Sequence, residues 1–402
     1  MNRRELIYGA GLFAGTAVGV NAMGTTRDSS APDDVHQEAL SLADYEPKSM
    51  LREAESHVSR SRYPVIDTHT HITYSAKSIS DLSLSADRVY LAKPEELLSV
   101  MDRKNILAMV NLTGGYAQGL VDTVSKYQKG FPGRFYVFTE PIYEKFLEPD
   151  YPKLQALEIE KAHRDGANGL KILKALGLYL RENITSGKLV TIDDRRFDPM
   201  WDVCAQLNLP VAIHIADPLA FFTPTDRFNE RYEELHNHPH WSFYGHDFPS
   251  VAELIQARNR VFARHPKTRF VTLHVGNLAE DLGSVSENLE RFPNMTVDIA
   301  ARVGELGRQP RNARKFFDRY QDRIVFGTDA TPDDTNSMQQ NFCDCMYEVY
   351  FRFLETDDEY FDYACSHIPP QGRWRVSGLN LPDGILRKLY NQNAARELGI
   401  DL

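Results

Sequence analysis

The polar and apolar positions alternate on a scale of whole segments. Short runs that are apolar throughout recur at Val65-Ile66-Asp67, Ile106–Asn111, Phe135–Thr139, Gly169–Leu173, Val211–Ile215, Arg269–Leu273, Met295–Ile299 and Ile324–Gly327. Strands that are apolar at every position are buried on both faces, as in parallel sheets. Between them lie segments with helical spacing of apolar residues: Pro94–Lys104, Pro152–Asp165, Asp198–Leu207, Pro249–Arg264 and Asn277–Phe292. Several open on proline, which suits a first helical turn. Eight such strands separated by helices predict an α/β protein, a (β/α)8 barrel spanning residues 63–402. An open doubly wound sheet is the competing arrangement, but no Gly-x-Gly-x-x-Gly follows an early strand. There is no internal repeat.

The N-terminal region has a different character. Arg3-Arg4 precede a Gly/Ala-rich run from Leu6 to Val20, and Val20-Asn21-Ala22 has the small residues of a cleavage site. Residues 1–22 therefore resemble a bacterial twin-arginine export signal, with Leu6-Ile7 in place of the usual Phe-Leu. The expected location is the periplasm, or the cytoplasm if the signal is not read. The run is shorter than the ~20 apolar residues that span a bilayer. No stable membrane span is expected after its removal. Residues 23–62 read as a polar linker and an arm on the barrel, with a helix-like piece from Leu40 to Val58.

Charge and cysteine usage narrow the function classes. The 402 residues carry a formal net charge of −10. With no basic block, general binding to a phosphate backbone is excluded and no nucleic-acid partner is expected. Cys204, Cys343, Cys345 and Cys365 are too few for a disulfide framework and include no Cys-x-x-Cys pair. Cys204 sits in an apolar helical stretch as a core residue. Cys365 can pair with Cys343 or Cys345, or all three can remain thiols.

In a barrel of this kind the reactive groups sit at the C-terminal ends of the strands. The first strand runs into Asp67-Thr68-His69-Thr70-His71, and residues i and i+2 of an extended strand share a face. Later strand ends supply Lys171, then His214, His274 and, in Gly327-Thr328-Asp329, a carboxylate. Imidazoles and a carboxylate on the one face that binds ligands point to a metal centre.

That order resembles the amidohydrolase superfamily. The Val-Ile-Asp-Thr-His-Thr-His opening, the Gly-Thr-Asp of strand eight and the closing Asn393-Ala394-Ala395-Arg396-Glu397-Leu398 are most similar to its amidohydrolase-related branch. That branch includes aminocarboxymuconate-semialdehyde decarboxylase, resorcylate decarboxylases and pyrone-dicarboxylate lactonase. The resemblance covers Tyr63 to Leu402 and implies one divalent ion. Three imidazoles and a carboxylate suit Zn2+, with Mn2+ or another ion as the alternative. His69, His71, His214 and Asp329 are the expected ligands, with His274 and Asp329 as the proton-transfer groups. With two metals, His274 becomes a ligand and a carboxylated Lys171 the bridge.

The expected reaction is hydrolysis of an amide, ester or lactone of a small, anionic substrate by metal-activated water. Non-oxidative decarboxylation of a small carboxylic acid uses the same ligands and is the alternative, and an inactive binding barrel is the third reading. The long Asp217–Ser250 connection reads as a binding loop. Phe222 and Trp241, with Phe221 and Phe243, are candidates for the pocket wall, while His236, His238 and His240 read as surface positions. Lys171, Arg227, Arg231 and Arg302 are candidates for holding the substrate, since a guanidinium matches a carboxylate. Thr331-Pro332-Asp333-Asp334 borders the same mouth. A homo-oligomer is compatible with all of this.

Overall fold

Eight parallel strands form one continuous sheet in the computed structural model, which describes residues 40, 41, 44–245, 247–332 and 338–402. The strands are β1 (Val65–Thr70), β2 (Ile106–Asn111), β3 (Phe135–Thr139), β4 (Gly169–Ile172), β5 (Val211–Ile213), β6 (Phe270–Thr272), β7 (Met295–Asp298) and β8 (Ile324–Val325). Their spatial order is their sequence order, and every neighbouring pair is parallel. Backbone bonds from Thr68 N to Phe326 O, His71 N to Ala330 O and Asp329 N to His69 O join the segment after β8 to β1. The result is a (β/α)8 barrel.

One longer helix follows each strand: α1 (Pro94–Lys104), α2 (Ala117–Thr123), α3 (Tyr151–Asp165), α4 (Asp198–Gln206), α5 (Val251–Arg264), α6 (Leu282–Arg291), α7 (Pro310–Arg319) and α8 (Asp344–Glu355). α5 starts on a capping box in which Ser250 and Glu253 satisfy each other's backbone N–H groups. The core is the layer between strands and helices, filled by residues such as Trp201, Phe135 and Tyr347. No helix among the described residues is long and apolar enough to cross a membrane.

The chain divides into two units, Met1–Leu51 and Arg52–Leu402. The export-signal reading and most of the linker lie outside the described residues. The helix-like piece expected from Leu40 to Val58 does not form: residues 45–59 have neither helix nor strand. Pro47 removes a backbone donor and disfavours a helical Glu46, and side chains that nearly all face solvent leave no packing to compensate. Within the second unit, Ser56 N and Oγ each bond the Asp358 carboxylate at 2.7 Å. Arg62 pairs with Asp383 at 2.8 Å.

The cysteine alternatives resolve into a Cys345–Cys365 disulfide, with Cα atoms 6.2 Å apart. Cys204 is buried in the core and Cys343 is a free thiol. The bridge ties α8 to the loop that carries Gln371, one of the residues lining the central cavity.

Candidate metal centre and cavity

β1 delivers its histidines as the two-residue period requires. His69 Nε2 and His71 Nε2 lie 3.3 Å apart, and Asp329 Oδ1 lies 3.0 Å and 3.1 Å from them. Donors held at 2.0–2.1 Å by one tetrahedral ion are separated by about 3.3 Å. The triangle thus has the dimensions of three ligands on one divalent ion. The ligand atoms of His69, His274 and Asp329 also fall within 4.8 Å of one another.

The other ring nitrogen of each histidine is engaged. His71 Nδ1 is 3.1 Å from Thr113 Oγ1, whose hydroxyl donates to Asn111, so the imidazole N–H faces away from the triangle. His69 Nδ1 lies 2.7 Å from Asp298 Oδ2. Asp298, at the end of β7, was not recognised from the sequence. Its one visible signal is a carboxylate closing an apolar strand run.

The backbone around the site is held in conformations that L-residues avoid. His274, Val275, Gly276 and Asn277 follow β6 with φ of 55°, 56°, 66° and 61°, and Asp329 has φ of 66°. A left-handed residue with a Cβ costs about 1–2 kcal/mol, more for a β-branched valine. The turn is held by Asp298 Oδ1 accepting from His274 N at 2.6 Å and by the Asn277 amide donating to Ala216 O at 2.9 Å. It displaces the start of the helix expected from Asn277, which begins at Leu282. Gly327 is required for a separate reason: a Cβ there would lie 2.9 Å from His69 Cβ.

Beneath the site, Asp67 joins three elements. Its carboxylate accepts from His69 N, from Thr328 N and Oγ1, and from Tyr347 OH of α8. Burial pushes its pKa up to about 6 despite these bonds.

Electrostatics differ among the histidines. Burial opposes charge on His69, but Asp329 and Asp298 outweigh it and hold its pKa above the usual value. Burial pulls His71 and His214 each down to about 4 and His274 well below its ordinary value. Asp329 remains ionised: burial works against this, but His69 and His71 hold it well below the carboxylate range.

His214 faces His274, with Nδ1 3.3 Å from His274 Nε2. Its Nε2 is 3.4 Å from Asp217 Oδ1, near enough for attraction but without a hydrogen bond. Asp217 in turn pairs with Lys174 at 2.7 Å.

A cavity of about 410 Å³ opens on these groups, lined among others by His71, His214, His274 and Asp329. Of the other candidates, Trp241, Arg231 and Arg302 line it, whereas Phe222 does not and packs on Phe243, a lining residue, at 4.9 Å. Arg227 is exposed and lies over the Phe228 ring, away from the cavity. Arg231 is buried and already neutralised by Glu234 and Glu305. Arg302 bonds the Ala301 carbonyl and, among the described residues, has no carboxylate at ion-pair distance. Lys171 is fully buried outside the lining, and its Nζ has no hydrogen-bond partner among the described residues; burial lowers its pKa to about 8. His240 lines the cavity as an exposed residue. Thr331 also lines it, while Asp333 and Asp334 lie outside the described residues.

A parallel barrel with imidazoles and a carboxylate gathered at the C-terminal ends of its strands defines the class, a (β/α)8 barrel of the amidohydrolase type. The chain belongs to the amidohydrolase family, whose profile matches residues 66–400. Members of this family bind a divalent metal, and the His-His-Asp group is in place here. No curated protein matches the chain.

Among solved structures, a 2,6-dihydroxybenzoate decarboxylase bound to 2,6-dihydroxybenzoate is similar with a TM-score of 0.52 and 14% identity, over 84% of this chain and 100% of that one. A dihydroxybenzoic acid decarboxylase from Polaromonas sp. JS666, with manganese and 2-nitroresorcinol, gives 0.50 and 13%, over 84% and 97%. A probable 2-pyrone-4,6-dicarboxylic acid hydrolase from Acinetobacter baumannii gives 0.46 and 13%, over 84% and 99%. At these identities the likeness is one of fold.

Proposed function

We propose that this protein is a metal-dependent hydrolase of a small anionic substrate bearing an amide, ester or lactone carbonyl. The observation that carries the reading is the triangle of His69, His71 and Asp329, with ion-sized edges, opening on a cavity that holds the unpaired guanidinium of Arg302. His69, His71 and Asp329 would hold the ion, most simply Zn2+, with His214 as the proposed fourth ligand. When bound, the ion lowers the pKa of a water from ~15.7 to ~7 and so supplies hydroxide at neutral pH.

The residues of the chain do the rest. Arg302 binds the substrate anion. Trp241 and Phe221, stacked at 6.5 Å, form an aromatic wall beside it. The Ala300 carbonyl holds the proton of His274 on Nδ1, so Nε2 presents a lone pair that takes a proton and returns it to the leaving group. Asp329 serves as a second proton carrier.

Decarboxylation of a small carboxylic acid is the second reading. It is favoured by the fold likeness to dihydroxybenzoate decarboxylases at TM-scores of 0.50 and above. The same Arg302 would hold the carboxylate, with His274 or Asp329 protonating the carbon that loses CO2.

The test is to incubate Zn2+- and Mn2+-loaded protein with lactones and aryl amides and with hydroxybenzoic acids, following acid production and CO2 release. Hydrolysis predicts acid from the first group without CO2 from the second. CO2 alone would replace the first reading by the second. Asp329→Asn should abolish either activity together with metal content.

We also propose that residues 1–22 direct export. The Cys345–Cys365 disulfide supports this, since such bonds persist in oxidising compartments. Fractionation of the native cell tests it, and full-length protein retaining Met1 in the cytoplasm would end the proposal.

A further inference from the structure

The carboxylate of Asp298 is fully buried and serves two of the site's histidines with its two oxygens. Oδ2 is 2.7 Å from His69 Nδ1. Oδ1 accepts from the backbone N–H of His274 at 2.6 Å and from Ala300 N at 3.3 Å. The first contact concerns a ring and the second concerns the left-handed turn that carries another ring. Gly327 keeps the space between them open, since a Cβ there would stand 2.9 Å from His69 Cβ and 3.3 Å from Asp298 Oδ2.

The structure assigns to Asp298 the role of a positioning residue that sets the tautomer of His69. A carboxylate offers only acceptors, so His69 Nδ1 must carry the hydrogen that faces it. Nε2 is then the nitrogen that faces His71 and Asp329, the position from which the ring meets a cation. No other described polar group contacts His69 Nδ1. The same carboxylate anchors His274 N, so one side chain fixes the ring of one histidine and the backbone of the other. This inference rests on the metal-site reading of the triangle.

Asp298→Asn separates the two duties. The asparagine Oδ1 still accepts from His274 N and Ala300 N, because turning the amide over would set its NH2 against both donors. Its NH2 therefore faces His69 Nδ1 and forces the hydrogen onto Nε2, where it blocks coordination.

The experiment is Zn2+ titration by calorimetry of the full chain as wild type and as Asp298→Asn, with thermal melts to compare folding. It is joined by 15N NMR of histidine-labelled protein without metal. Expected is a 10–100-fold loss of Zn2+ affinity in the variant. His69 should carry a hydrogen on Nδ1 in the wild type and none there in the variant, a change that a purely structural role would not produce. Wild-type affinity in Asp298→Asn overturns the inference and leaves the metal site standing. A His69 Nδ1 without hydrogen in the wild type also overturns it, and does so even if the variant fails to fold. A wild-type protein that takes up no Zn2+ or Mn2+ overturns the metal-site reading itself.

Discussion

His214 and His274 face each other at the cavity, Nδ1 of the first 3.3 Å from Nε2 of the second. The Ala300 carbonyl, 2.8 Å from His274 Nδ1, accepts a hydrogen bond from that nitrogen's N–H and leaves Nε2 as the acceptor. Burial holds His274 well below its ordinary pKa, so it starts neutral at pH 7 and competent to accept a proton. His274→Asn should lower kcat/KM by about 10²–10⁴-fold. Elemental analysis should still find the metal, held by His69, His71 and Asp329. Full activity in the variant would remove His274 from proton transfer, and loss of the ion would make it a ligand instead.

Arg302 is the lining guanidinium to test for anion binding, since Arg231 already serves two carboxylates. A hydrogen-bonded charged contact contributes roughly 1.5–3 kcal/mol, so Arg302→Gln should raise KM for a carboxylate substrate by roughly 10–150-fold. Neutral analogues of the same size should be unaffected. Equal losses on charged and neutral substrates would show that the residue supports the wall rather than the anion.

The barrel was legible because its strands are buried on both faces and so read as unbroken apolar runs, each ending in turn chemistry. The pairing of His69 with His71 followed from the two-residue period alone. What the sequence did not disclose depends on contacts between distant segments. Asp298 matters because β7 brings it beside β1, 229 positions earlier in the chain. The left-handed turn at His274 was invisible because local propensity opposes it, and its last residue, Asn277, reads as the beginning of a helix. Arg227, Arg231 and Arg302 are alike in sequence, and only their partners distinguish an exposed, a neutralised and an unpaired guanidinium.

The Cys345–Cys365 bridge closes a loop with a sequence separation of 20. Chain-entropy arguments give about 3 kcal/mol for a loop of that length. Replacing both cysteines by serine should lower stability by that order in denaturant melts. Because Cys365 anchors the segment that runs on to Gln371 of the cavity lining, KM should rise more than kcat falls. Identical melting of oxidised and reduced wild-type protein would show that the bridge contributes no stability.

Asp344 opens α8 and meets the last turn of α1, with Arg103 Nε and Nη2 donating to its two oxygens at 2.9 Å and 2.7 Å and Lys104 Nζ 3.3 Å away. Both helix ends favour these charges. The Arg103 hydrogen bonds hold the Asp344 pKa down at about 2, against 3.8 for the free group. A folded-state pKa below the unfolded one means stability that is complete above about pH 4 and lost as pH falls towards 2. The carboxylate is 39% exposed, so solvent screening limits the contribution to under about 1 kcal/mol. Asp344→Asn should therefore lower the melting temperature by about 1–2 °C at pH 7 and by less in 1 M salt. The gap between variant and wild type should narrow as pH falls through 2 and close below it. A gap undiminished at pH 2 would show that the side chain acts through packing or capping rather than through its charge.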